Sequence, residues 1–186
     1  VDTTLIPSEI HVSASIERND DADDYDIELG IAKCRWWFEN IVSRTIAFYK
    51  ENETAIDMFT DYETNTIRVN NMIMLTPDEP TDEVLGSLFQ SKMNALANDA
   101  FTIEAINVES DNANGLSYTL AGDHGLFLPQ TMDDWLEGPS FFDVPWWMRN
   151  DRSTLDVYVS EDTDITDIPA WAGSFDFLDK RIKKAE

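Results

Sequence analysis

The side chains that could do chemistry are overwhelmingly carboxylates. The chain holds 37 Asp and Glu against 13 Lys and Arg, two His and one Cys. Carboxylates bind hard cations through oxygen, so the densest run comes first: Asp20, Asp21, Asp23, Asp24, Asp26 and Glu28. A calcium loop needs acids at alternate positions, a central glycine and a closing glutamate at fixed spacing. No register of this run supplies all three, and Glu161-Asp162-Thr163-Asp164 fails in the same way. Both read as solvated acidic loops, and neither a metal nor a cofactor is expected. The lone Cys34 excludes an internal disulfide and a cysteine zinc site.

Acid–base catalysis is equally thin. His11 alternates outward in Ile10–Ile16 and should be exposed. His124 lies in Gly122-Asp123-His124-Gly125, where a histidine and a carboxylate are adjacent. That tetrapeptide faintly resembles phosphoesterase metal motifs, in which glycines let the backbone tuck under the ion. The Asn-His and His-x-His segments that complete such sites are missing, and a turn after a strand explains the residues as they stand. Nucleophile-elbow, zinc-protease, phosphate-loop and dinucleotide fingerprints are also missing. The expectation is a protein that is not an enzyme. A carboxylate-metal hydrolase using Asp123 and His124 is the weakest alternative.

What remains is binding. The net charge is −24, which keeps the chain soluble and repels nucleic acid phosphates and anionic membranes. Residues 1–179 hold 9 cations against 36 acids, because Lys180, Arg181, Lys183 and Lys184 gather at the end. The acids recur in patches, at Glu17–Glu28, Asp78–Glu83, Asp133–Glu137 and Glu161–Asp167. Acids three or four residues apart on a helix stand about 5–6 Å apart, while phosphates along one DNA strand advance about 3.4 Å each. Such rows can offer carboxylates to a basic surface in place of phosphates. The candidate contacts are Asp20, Asp21, Asp23, Asp24, Asp26, Glu28, Asp78, Glu79, Asp82, Glu83, Asp133, Asp134, Glu161, Asp162 and Asp164. Trp146 and Trp147, in the run Phe141–Arg149, read either as a loop closing the core or as an anchor on a partner, since Trp and Arg recur at interface hot spots.

These residues need elements to hold them. Alternation over Ile10–Ile16 predicts a half-buried strand. Ile27, Ile31, Cys34, Phe38, Ile41, Val42, Phe48 and Tyr49 share one face at helical spacing, predicting a long helix that ends near Lys50. Acids at its start suit the helix dipole; Gly30 is a weak point within it. Residues 55–62 and 66–75 read as a hairpin. Thr81-Asp82-Glu83 opens a second helix with the stripe Val84, Leu85, Leu88, Phe89, Met93 and Leu96. Residues 101–109 and 116–121 read as a second hairpin around turn residues 110–115. A short helix is expected at Thr131–Glu137, a strand at Thr154–Val159 and a short basic helix at 174–184.

The fold class expected is α+β: a mostly antiparallel sheet, from two hairpins and an N-terminal strand, with two main helices on one face. The length of 186 residues fits a single domain. Val1-Asp2-Thr3-Thr4 has neither a basic start nor an apolar run, so a soluble, cytoplasmic protein is expected. Salt adaptation could also produce such acidity, but the abundance of Ile and Asn, with ten Phe and six Trp, argues for another cause. The functional expectation is a nucleic-acid-mimicking inhibitor, of the kind mobile elements and phages use against host defence. It would block the basic cleft of a nucleic-acid-binding protein without binding nucleic acid or membrane itself. The alternative is a virion structural or assembly protein, anchored through Trp146–Trp147. A homodimer is compatible with either.

Overall fold

The computed structural model describes residues 8–55, 60–61, 66–67, 73–122, 144–156 and 171. In chain order these give β1 (Ile10–Arg18), α1 (Asp24–Asn40), a 3-10 turn (Val42–Arg44), β2 (Ile46–Tyr49), β3 (Thr60–Asp61), β4 (Thr66–Ile67), β5 (Ile73–Thr76), α2 (Asp82–Ala97), β6 (Phe101–Ser110), a second 3-10 turn (Asp111–Ala113), β7 (Tyr118–Ala121) and a third (Trp146–Met148). The main sheet is antiparallel in the order β1-β6-β7. α2 packs across β6 and β7, and α1 packs on α2. This is the α+β architecture that the patterning implies. The short helix expected at Thr131–Glu137 and the basic helix expected at 174–184 lie outside the described residues.

Both helices start where capping chemistry puts them. The Asp23 side chain accepts from Asp26 N–H at the head of α1, and Thr81 accepts from Val84 N–H at the head of α2. Each satisfies a donor that the first helical turn would leave orphaned. α2 stops at Asn98, which adopts the left-handed conformation (φ 50°, ψ 53°). Asparagine tolerates that geometry better than branched residues do. The chain then turns within three residues into β6.

Two expectations change. The first helix does not run to Lys50: it ends at Asn40, and Ile46–Tyr49 is a strand paired in parallel with β5, Ile46 against Ile73 through Tyr49 against Thr76. Ser43 Oγ donates to Glu39 O at 2.6 Å and Thr45 Oγ1 to Val42 O at 2.9 Å, satisfying carbonyls at the helix end. Phe48 and Tyr49 fit the helical stripe by coincidence, because so short an apolar run satisfies either period. The second change concerns 66–75. Thr66–Ile67 does pair antiparallel with Thr60–Asp61, but Ile73–Thr76 leaves that hairpin for β2. All four β5 residues are buried, as continuous apolar runs in parallel sheets are. Thr154–Asp156, expected as the start of a strand, is irregular but lies against β5: Thr154 O accepts from Leu75 N–H at 3.1 Å and Thr154 Oγ1 donates to Ile73 O at 2.5 Å.

The core centres on Trp37, which is fully buried. Its ring lies 5.2 Å from Phe38, 5.9 Å from Phe89 and 6.2 Å from Trp146, the two Phe contacts edge-on. Gly30, the weak point in the helical pattern, is where α1 comes closest to its neighbours. A Cβ there would stand 2.8 Å from Phe101 Cε1 and 3.2 Å from Ala97 Cα. Gly30→Ala should therefore lower the thermal midpoint by a few degrees. Overpacking costs about 1–3 kcal/mol, against about 1 kcal/mol gained in helix propensity. A raised midpoint in a calorimetric scan would contradict this packing.

Candidate partner-binding surface

The Asp20–Glu28 acids occupy the turn after β1 and the first turns of α1. All six are exposed. Asp23 is occupied as the helix cap, and Asp24 pairs with Arg18 at 2.8 Å. Asp20, Asp21, Asp26 and Glu28 add their charge to the same end of the molecule. Among the described residues no three His, Cys, Asp or Glu side chains are grouped as a metal site requires.

The Asp78–Glu83 acids surround the head of α2. Asp78 is half-buried: its carboxylate accepts from Glu79 N–H, and its carbonyl accepts from Thr76 Oγ1. Asp82 accepts from Ser110 N–H at 3.2 Å and Ser110 Oγ at 3.0 Å, fastening α2 to the end of β6. It is thus partly committed to the fold, while Glu79 and Glu83 are exposed. Ser110 pairs with Ile10, the first residue of β1, and Asp24 pairs with Arg18, the last. The two acidic groups therefore stand at opposite ends of β1, about 26 Å apart at the usual strand rise. Asp133, Asp134, Glu161, Asp162 and Asp164, like Asp123 and His124, lie outside the described residues. His11 is exposed, 3.7 Å from Glu9.

Trp146 and Trp147 do not belong to this surface. They are 0% and 2% exposed and sit inside the core, so the anchor expectation is corrected: neither offers area to a partner. They are held there by a group that the sequence reading passed over. Lys92, on α2, is fully buried. Its ammonium donates to Trp146 O at 2.9 Å, to Arg149 O at 2.8 Å and to Asp151 Oδ1 at 3.4 Å, and lies 5.9 Å from the Trp146 ring centre. Arg149 donates to Asp151 Oδ2 at 2.9 Å and also bonds Asp156 Oδ1; Asp156 Oδ2 accepts from Trp146 N–H at 3.1 Å. A signal was present: Lys92 lies four residues from both Leu88 and Leu96, on the buried ridge of α2. A cation there needs buried acceptors.

Burial pushes the Lys92 ammonium down to about 8, with Asp151 pulling the other way. Burial alone would raise the Asp151 carboxyl, but Lys92, Arg149 and the Ser153 N–H together hold it below the ordinary carboxylate value. A buried amine near neutrality can be catalytic; this one is sealed from solvent and spends its donors on the protein. Cys34 is likewise buried, and burial pushes its thiol up to about 12.

These shifts set a pH signature. Between about 8 and the ordinary lysine value of 10.5, the unfolded chain holds a proton that the folded chain has released. Stability from Lys92 therefore rises with pH in that window. Cys34 acts oppositely, but only above 9.0. Unfolding free energy should rise by about 1 kcal/mol from pH 8 to 9, and Lys92→Met should remove most of the rise, leaving the part from Lys33, whose ammonium burial also pushes down, while lowering overall stability by about 3–5 kcal/mol. In acid, stability from Asp151 should be lost as pH falls below 3.8. Denaturant titrations across pH check both; a variant that keeps the whole alkaline slope would contradict the assignment to Lys92.

No protein-family model, curated protein or solved structure matches the chain.

Proposed function

We propose that the protein is a non-enzymatic, acidic binding protein that occupies the basic cleft of a nucleic-acid-binding protein, acting in the cytoplasm. The observation that carries this reading is the charge: −24 on 186 residues, with acids outward at both ends of β1. Packing so many like charges on one folded chain destabilises it by self-repulsion, and a partner of opposite sign would offset that cost. Pairs such as Asp24 and Glu28 on α1 repeat at about 5–6 Å, and Glu79 and Glu83 add exposed charge around the head of α2. Lys and Arg side chains that clamp phosphates can reach such spacings.

Inhibition would be competitive, with the protein standing where the duplex phosphates stand. The assembly alternative drew on Trp146–Trp147 as an exposed anchor, and their burial removes that support. No helix among the described residues is long and apolar enough to cross a membrane.

The test is capture from a lysate at low salt, followed by salt elution and identification of what is released. Nucleic-acid-processing proteins should elute with moderate salt, since exposed charge pairs are screened within about 8–10 Å at physiological ionic strength. Joint reversal of Asp20 and Asp21, which lie outside α1, to lysine should weaken capture at least tenfold without lowering the thermal midpoint. Affinity that survives high salt, or that ignores the reversal, would sink the mimicry mechanism.

A further inference from the structure

Among the described residues the main sheet ends on β1, with β6 on one side and no strand paired on the other. Val12, Ala14 and Ile16 pair with Val108, Ile106 and Ile103 on β6. The β6 partners are fully buried, whereas Ala14 is exposed and Ile16 is 41% exposed. α2 lies under β6 and β7, and β1 projects past it.

Beneath the projection lies a groove of ≈ 2090 Å³. Val12, Ala14 and Ile16 form one wall. Ile31 and Phe38 of α1 and Leu85 and Phe89 of α2 also line it. Small-molecule pockets run to about 300–1,000 Å³, so this space suits a length of polypeptide. Its lining carries five carboxylates, Glu9, Glu39, Glu79, Asp82 and Glu83, against one cation, Arg35. The rim excludes a nucleic acid and favours a cationic guest. It also disfavours a second copy of this chain, which would bring the same acids to the contact.

The backbone adds a direction. Exposed strand edges are usually blunted by lysine, proline or a bulge. From Ile10 to Ser15 there is no lysine or proline, and the register shift comes only after Ser15. Among the described residues no strand pairs with the outer edge of β1. A strand added there would sit about 4.8 Å outside β1, with alternate side chains turned over the groove.

We propose that β1 and the groove beneath it form a docking site for an extended, basic segment of a partner protein, which adds a strand to the sheet and seats alternate apolar side chains in the groove. Main-chain bonds along Ile10–Ser15 supply affinity; the apolar floor and acidic rim select a sequence alternating apolar and basic residues. The inference shares with the functional reading the basic character of the partner and the acids Glu79, Asp82 and Glu83, which line the groove.

The probe is a fluorescent synthetic peptide alternating lysine with valine, as long as β1, titrated into the full chain. Binding should slow amide exchange along Ile10–Ser15, and a glutamate–valine peptide should not bind. Ile16→Asp and Ala14→Asp, each at an exposed position, should weaken the peptide at least tenfold with the thermal midpoint unchanged. Unchanged exchange along β1, or affinity indifferent to both substitutions, overturns the proposal. So does self-association in sedimentation that Ile16→Asp abolishes, which would give the groove to a second copy. Binding that requires removal of residues 172–186 would give it to the chain's own tail and overturn the proposal equally. Asp20 and Asp21 do not line the groove. Loss of lysate capture on their reversal with peptide binding intact, or the converse, therefore separates failure of one reading from failure of the other.

Discussion

A buried ammonium is the constraint on which the rest of this structure turns. Lys92 sits on the inner ridge of α2 with no exposed surface. A charge there is tolerable only if every donor finds an acceptor. All three acceptors come from one short stretch, Trp146 O, Arg149 O and Asp151 Oδ1. That stretch has no regular structure beyond a single 3-10 turn, so the lysine gives it a unique place. Once it is in place, Trp146 reaches Trp37 and donates Nε1–H to Leu75 O at 3.0 Å. Thr154 then bonds Ile73 and Leu75. β5 is thus gripped by β2 on one side and by residues 146–154 on the other.

The fixed core has a consequence for the surface. Six tryptophans and ten phenylalanines could have meant a sticky, partner-seeking exterior. Trp37, Trp146 and Trp147 are instead interior, and Trp36 is half-buried under Trp171 and Arg152. The charge that the described residues show to solvent is mostly negative. The acids are sorted: Asp23 caps a helix and Asp82 ties α2 to β6, while Asp20, Asp21, Glu79 and Glu83 remain at the surface. The sorted and unsorted acids look alike in the sequence. Only the neighbours that fold brings to them, Ser110 above all, tell them apart.

Local chemistry was the legible part. Thr81 before two acids announced α2, alternation announced β1, and turn residues between two β-rich runs announced β6 and β7. Each of these signals acts over a few neighbouring residues. The parallel pairing of Ile46–Tyr49 with Ile73–Thr76 joins segments across an intervening crossover, and nothing local marks it. The apolar run at Phe48–Tyr49 suits a helix or a strand equally, and tertiary pairing decided for the strand. The acidic character of the candidate surface could be read directly from composition. Its arrangement at the two ends of β1 could not, because it depends on Ile10 meeting Ser110 and Arg18 meeting Phe101 across the sheet.

Mimicry of a phosphate surface makes one demand that mere acidity does not: the protein and the nucleic acid must exclude each other from the same partner. The direct measurement is equilibrium competition between this protein and duplex DNA for a captured partner, followed at constant ionic strength. The account predicts that rising DNA displaces the protein completely, with an apparent affinity that falls in proportion to the DNA bound. A stable ternary complex, with DNA and this protein held at once, would contradict it.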